Sequence, residues 1–375
     1  MINKNRLIRL AQDLIRIDSQ NPPGDEWRIA RFTRKYLAKS GVKSRIYAFK
    51  KRRANLVARI PGKSRGRSLL ITPHLDTVPC GASWKFKPFA ARIKNGKIYG
   101  LGATDCKANL ACALEVINSI REEAVALNYD LIFCATADEE SGSGLGLAPL
   151  LDKKILQPEA AVVLDADDFD IIIAQKGLVH VKVKIQGRRA HGAYPWRGIN
   201  AIDLAVRIIR EIKEKNFAFR KNRYLRAPTV NVGTIRGGDK VNVVADWCEF
   251  ELDFRFLPGT RAEELLGQLK KTVRRHAREF KIEVEGIQKP YRMSEYHPLV
   301  SGLKKAMRRV RVSPRIKGSE GATVISFFQD KHIPAVATGF GSGGCAHAAD
   351  EYVKISSLYK GAQVLEEFLK DYTKG

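Results

Sequence analysis

The sequence predicts an α/β protein: a larger domain on a mixed sheet, interrupted by a smaller α+β domain. Three observations carry this. From about Asn55 to Gln175 short apolar runs alternate with helical patterns, as in a sheet covered by helices. After Lys176-Gly177 the texture changes to a compact run of strands and two helices, and from about Met293 the first pattern resumes. The 375 residues also exceed a single domain of roughly 100–200 residues. The larger domain is therefore expected in two parts, 1–177 and 292–375, around an insertion at 178–291.

At the N-terminus Leu7, Leu10, Ala11, Leu14 and Ile15 recur at helical spacing among Lys, Arg, Asp and Gln, predicting an amphipathic surface helix rather than a signal peptide. Strands are expected at Asn55–Ile60, Ser68–Thr72, Asp130–Ala135 and Ala160–Leu164, and helices at Lys107–Arg121 and near Leu145–Leu151. The insertion opens with strict alternation in Val179–Ile185. It continues with a helix at Ala201–Lys215, strands at Thr229–Ile235 and Cys248–Phe256, a helix at Arg261–Phe280 and a strand near Lys281–Val284. Beyond it come helical segments at Leu299–Arg309 and Ala322–Phe328, a strand at Ala335–Thr338 and a terminal helix at Ile355–Lys370. Gly177 and the stretch 288–293 are the expected hinges.

Composition narrows the function classes. Apolar residues make up 44% and charged residues 28%, ordinary globular values. No stretch approaches the ~18 consecutive apolar residues of a membrane span, so no membrane role is expected. The six cysteines lie without close pairs, which fits reduced thiols in a cytoplasm. The net charge of +26 would attract polyanions. Its Lys and Arg are spread along the chain, with short runs at Lys50–Arg53 and Arg308–Arg311 and no interleaved aromatic residues, so nonspecific rather than dedicated nucleic-acid binding is expected.

Metal-competent side chains collect just after the expected strands. His74 and Asp76 follow Leu69–Thr72, Asp138–Glu140 follow Leu131–Ala135, and Asp165 follows Ala160–Leu164. His347 comes after Ala335–Thr338 and a Gly-rich turn, and Asp105 sits just before a helix. The carboxyl edge of an open α/β sheet is where ligand crevices form. Acidic residues at loop ends are commonly helix caps or turn residues. The run Asp138-Glu139-Glu140, however, concentrates negative charge that only a cation or a basic partner would neutralise.

The segments Ile71–Pro79, Gly100–Lys107, Thr136–Gly142 and Ala346–Tyr352 resemble four signatures of one enzyme family. It is the family of acetylornithine deacetylase, succinyl-diaminopimelate desuccinylase, aminoacylase and glutamate carboxypeptidase. The resemblance runs through the insertion as well, at Arg188–Gly192 and Gly237–Val244. It implies a zinc-peptidase-like catalytic domain and a ferredoxin-like lid through which the chain forms a homodimer. It further implies two divalent metal ions, with Asp105 bridging them, His74 and Asp165 completing one site, and Glu140 and His347 the other. Imidazole and carboxylate ligands suit zinc, with cobalt or manganese as substitutes, and a shared carboxylate can hold ions ~3.5–4 Å apart.

In the resemblance Asp76 orients the His74 imidazole, and Glu139 is the general base that deprotonates water and passes the proton to the leaving amine. His191 reaches the partner's active site to stabilise the oxyanion, and Asn242 and Arg255 contact substrate, an Arg–Asp253 ion pair being the alternative for Arg255. Three positions depart from the family pattern. Asp165 replaces a frequent Glu, Ala166 stands where Pro is common, and Val324 stands where Asp often follows Thr.

The expected activity is therefore metal-dependent hydrolysis of the amide of an N-acyl amino acid. A dipeptidase or carboxypeptidase with the same centre is the alternative, and a non-catalytic basic binding protein is the alternative of another class.

Overall fold

The computed structural model describes residues 1–373 apart from Arg65, Asn216 and Ala218. They divide into two compact units, Met1–Ile173 with Met293–Lys317 and Phe327–Gly375, and Ala174–Arg292 with Gly318–Ser326.

The first part of the chain forms α1 (Lys4–Ile15), α2 (Trp27–Lys39), β1 (Ser44–Lys50), β2 (Arg53–Ile60) and β3 (Ser68–Thr72). A hairpin β4 (Arg92–Lys94) and β5 (Lys97–Tyr99), α3 (Lys107–Glu122), β6 (Asp130–Ala135), α4 (Leu147–Asp152), β7 (Ala160–Leu164) and β8 (Asp170–Gln175) follow. The second unit holds β9 (Gly177–Gln186), α5 (Ala201–Glu214), β10 (Thr229–Gly237), β11 (Trp247–Phe256), α6 (Ala262–His276) and β12 (Glu279–Gln288), and closes with β13 (Tyr291–Arg292). The chain ends in α7 (Pro298–Arg309), β14 (Arg315–Ser319), α8 (Ile325–Gln329), β15 (Ala335–Thr338), β16 (Tyr352–Lys354) and α9 (Ile355–Asp371).

The main sheet runs β1-β2-β6-β3-β7-β15-β8. Strands β6, β3, β7 and β15 are mutually parallel neighbours, and every residue of Ala160–Leu164 is buried. Such strands read as continuous apolar runs because both faces are covered. α3 is buried along nearly its whole length, from Lys107 to Ile120. In α9 a Cβ on Gly361 would lie 2.3 Å from the Phe340 ring, so this helix meets the core at a position that admits no side chain.

The second unit is a four-stranded antiparallel sheet, β10-β11-β9-β12, in the ferredoxin-like βαββαβ order. Its inward residues, among them Val179, Val181, Val183, Phe250, Leu252 and Phe254, pack with Ile208, Leu265 and Val273 of the two helices. On the other face Lys182 pairs with Glu251 at 2.9 Å and Glu285 at 3.2 Å, and Lys184 with Glu283 at 2.8 Å. Segment Gly318–Ser326 groups with this unit rather than with the flanking domain. Gln175 and Gln288 donate to the Thr323 carbonyl at 3.1 and 2.7 Å, and Lys176 pairs with Glu320 at 2.6 Å.

Several expectations need correction. The helix expected to reach Phe280 ends at His276, after the cationic turn Arg274-Arg275-His276, and Phe280 is already in β12 opposite Ile185. The helix expected at Ala322–Phe328 is the short α8, starting only at Ile325. The unit boundaries fall at Ile173/Ala174 and Arg292/Met293. Gly177 opens β9, where a Cβ would be 2.5 Å from the Phe256 ring, so close packing admits no side chain there.

Candidate metal centre

The carboxyl ends of the parallel strands present the expected side chains on one edge of the first unit. After β3, a bridge from His74 to Thr136 keeps the two chain exits side by side. His74 is buried, and its Nε2 lies 2.7 Å from Asp105 Oδ1 and 3.6 Å from Asp165 Oδ1. The other oxygen of Asp105 is 3.1 Å from Nε2 of His347, which is also 3.2 Å from Glu140. One carboxylate thus faces both imidazoles.

The loop carrying Asp105 is fixed by a buried carboxylate. Glu351 accepts from the N–H groups of Gly102 at 2.8 Å, Thr104 at 2.7 Å and Asp105 at 2.9 Å. Burial pushes the Glu351 carboxyl up to about 7. Gly102 has φ 77° and faces Thr77 so closely that a Cβ would be 2.7 Å from its methyl, which explains glycine at this turn.

Glu139, Glu140 and Ser141 make one short 3-10 turn, entered through Asp138 in the left-handed conformation with φ 63°. The basic partner of the acidic run is Arg53, whose guanidinium donates to Asp138 at 2.7 Å and to Glu26. Asp138 is therefore occupied within the core, while Glu140 turns to His347. Among the described residues no hydrogen bond or ion pair engages the Glu139 carboxylate.

Asp76 differs from expectation. Its carboxylate is 3.7 Å from His74 Nδ1, and the nearer acceptor is its own main-chain carbonyl at 3.0 Å. The carboxylate instead accepts from the N–H groups of Glu139 and Glu140, both at 3.1 Å, and from Asn21 at 2.9 Å. The imidazole is still oriented by Asp76, but through the backbone.

Burial raises the Glu139 carboxyl well above its ordinary value, and repulsion from Asp165 adds to this. Glu140 is raised by burial too, against its bond to His347. Burial would also raise Asp105, yet the bonds from His347 and His74 hold it below the usual range. Those to Asp105 and Glu140 push His347 up to about 10. The carboxylates of Asp105, Glu139, Glu140 and Asp165 crowd negative charge into one place, which divalent cations would neutralise. Among the described residues three groups have ligand atoms within 4.8 Å of one another: His74, Asp105 and Cys106; His74, Glu139 and Asp165; and Asp105, Glu140 and His347. The imidazole and carboxylate donors fit two divalent ions. Cys106 is the weakest candidate, since burial pushes its thiol up to about 12 and only the thiolate binds metal well.

The remaining expected residues lie in the second unit. His191 is exposed, accepts from the Ala193 N–H at 3.0 Å and bridges to Val243. Asn242 is exposed, and its carbonyl accepts from Gly192 at 2.8 Å. Arg255 forks onto Asp253 at 2.8 and 2.9 Å. Glu351, Arg53, Glu26 and Asn21 were not singled out in the sequence, although Glu351 lies inside the last signature.

The fold and this edge define a hydrolytic enzyme: the chain belongs to peptidase family M20/M25/M40, whose description matches residues 70–371. It is 29% identical to an uncharacterized metallohydrolase of Methanocaldococcus jannaschii, over 97% of this chain and 98% of that protein. It is 30% identical to the acetylornithine deacetylase of Klebsiella pneumoniae, over 76% of this chain and 75% of that one. Among solved structures, a tripeptidase of Staphylococcus aureus superposes with a TM-score of 0.82 at 25% identity, covering 99% of this chain and 98% of the other. Among the described residues no helix is long and apolar enough to cross a membrane.

Proposed function

We propose that the chain hydrolyses the amide bond of an N-acyl amino acid, acting as a deacetylase or desuccinylase. The observation that carries this is Asp105, with one oxygen toward each of His74 and His347 and with Glu139 beside them. The relationship to an acetylornithine deacetylase supports the substrate class.

In this reading His74, Asp105 and Asp165 would hold one zinc ion, and Asp105, Glu140 and His347 the other. When bound, the ions supply Lewis-acid activation of water and of the scissile carbonyl. Glu139 takes a proton from the attacking water and returns it to the departing nitrogen. Its raised proton affinity matches that task better than an ordinary surface carboxylate would. Asp76 holds the Glu139 turn and, through its carbonyl, the His74 ring. His191 stabilises the oxyanion across a homodimer formed through the second unit, with Asn242 beside the substrate. Arg255 is already paired with Asp253, so its proposed part is to order the lid sheet. The six cysteines are unpaired, in keeping with a cytoplasmic setting.

The same centre would cut a short peptide, and the likeness to a tripeptidase favours that second reading. Membership of a hydrolase family removes the non-catalytic alternative. The test is amine release from acetylated, succinylated and peptide substrates by zinc- and cobalt-loaded protein. Turnover of an acyl amino acid well above every peptide is expected; peptides alone would move the chain to the second reading.

A further inference from the structure

The turn bearing Glu139 and Glu140 is fastened from behind by side chains that the chemistry does not use. Asp76 accepts both N–H groups of the turn at 3.1 Å. The Asn21 amide nitrogen donates to Asp76 Oδ2 at 2.9 Å and to Asp138 Oδ1 at 3.3 Å. Arg53 donates to the same Asp138 oxygen at 2.7 Å and forks onto Glu26 with two bonds of 2.8 Å. Glu26 also accepts from the Asp138 N–H at 3.3 Å, and the second oxygen of Asp138 accepts from Leu145 at 2.9 Å. Asn21, Glu26, Arg53, Asp76 and Asp138 are all buried. Gly24 leaves room for the fork, since a Cβ there would be 2.4 Å from the guanidinium carbon.

This network gathers two carboxylates, Glu26 and Asp138, around one guanidinium and ties a third, Asp76, to them through the Asn21 amide. Stability does not call for it, because apolar residues of similar volume commonly do as well as a buried ionic cluster. What it supplies is geometry. Asn21 is bonded to both Asp76, which holds the turn by its N–H groups, and Asp138, the residue through which the chain enters it.

We propose that Asn21, Glu26 and Arg53 are positioning residues that place the Glu139 carboxylate by locking Asp76 and Asp138 together beneath the Glu139–Ser141 turn. The proposal rests on Glu139 being the general base.

The test uses the full chain loaded with two equivalents of zinc, comparing wild type, Asn21→Leu and Glu139→Gln. Hydrogen exchange by mass spectrometry follows peptides spanning 137–142, and steady-state kinetics uses acetylornithine and a tripeptide. In Asn21→Leu, exchange in the turn should rise about tenfold or more and kcat should fall about 10- to 100-fold, with KM within about twofold and zinc content unchanged. Wild-type exchange or wild-type kcat in this variant overturns the proposal, the latter showing a network that is structural only. Should Glu139→Gln keep its kcat, the base assignment fails instead, and the exchange result still decides whether Asn21 holds the turn. If Asn21→Leu does not fold, Arg53→Lys, which keeps the charge and loses the fork, is read in the same way.

Discussion

Glu139 and Glu140 are chain neighbours whose substitution should fail in different ways. Glu139→Gln is expected to lower kcat by about 10²–10⁴-fold while metal content, measured by atomic emission, stays at the wild-type level. Glu140→Ala should instead reduce the bound metal, and normal stoichiometry in that variant would sink its assignment as a ligand. The electrostatics adds a pH prediction for metal-free protein. His347 is raised to about 10 by its carboxylate partners, so its contribution to stability is full below its unfolded pKa of roughly 6.5 and is lost as pH rises through 10. The raised Glu139 and Glu140 act in the same direction, because the folded state binds their protons more tightly. The urea midpoint of apoprotein should therefore fall from pH 6.5 to pH 10. Zinc-loaded protein should fall less, since metal occupies the deprotonated imidazoles. At this scale the sequence is a good guide to which residues meet, because His74, Asp105, Glu140 and His347 stand in signatures, Asp105 just before a helix and the others beyond strands. It could not reveal that the Asp76 carboxylate serves two N–H groups of another loop, nor that Arg53, 85 residues away, is the partner of Asp138. Such pairings depend on the sheet order β2-β6-β3, which no local pattern encodes.

Elements impose their own conditions on the site. The loop before α3 is held by Glu351 through three N–H groups. Glu351→Ala would leave those donors buried without an acceptor, at roughly 1–3 kcal/mol for each one left unpaired. We expect a lowered unfolding midpoint and weaker metal retention on dialysis, as Asp105 loses its fixed position; unchanged retention would show that the loop orders itself. A methyl added at Gly361 of α9 meets the Phe340 ring, and Gly361→Ala should cost about 1–3 kcal/mol by overpacking, readable as a shift in urea midpoint. The long, strongly periodic helices and the buried strands β2, β3, β6 and β7 were legible because composition and burial agree there. Helix α2 is not legible in the sequence, because Arg28, Arg31, Arg34 and Lys35 obscure the buried stripe of Ile29, Ala30, Thr33 and Leu37. The junction of α6 and β12 is blurred in the sequence because an amphipathic period and an alternating one share Phe280.

At the scale of the whole molecule, the net charge of +26 is spread over a surface already laced with ion pairs, such as those of Lys182 and Lys184. Retention on heparin should therefore decline steeply and linearly on a log–log plot against salt, and competing DNA sequences should displace it equally well. A sequence preference would show a dedicated site instead. The sheet order has a further consequence, for the time at which an enzyme first exists. β15 lies between β7 and β8 although it is made of residues 335–338, and His347 comes later still. While the chain is emerging from the ribosome, β12 and the rest of its four-stranded sheet can pair as soon as residue 288 is free, but the main sheet keeps a gap between β7 and β8 until β15 is synthesised. That closure joins residues far apart in the chain, the slowest kind of contact to form. Nascent chains halted before residue 335 should thus carry one protease-resistant unit and one open sheet, with β7 and β8 each unpaired along the edge that β15 will fill and in need of protection from aggregation.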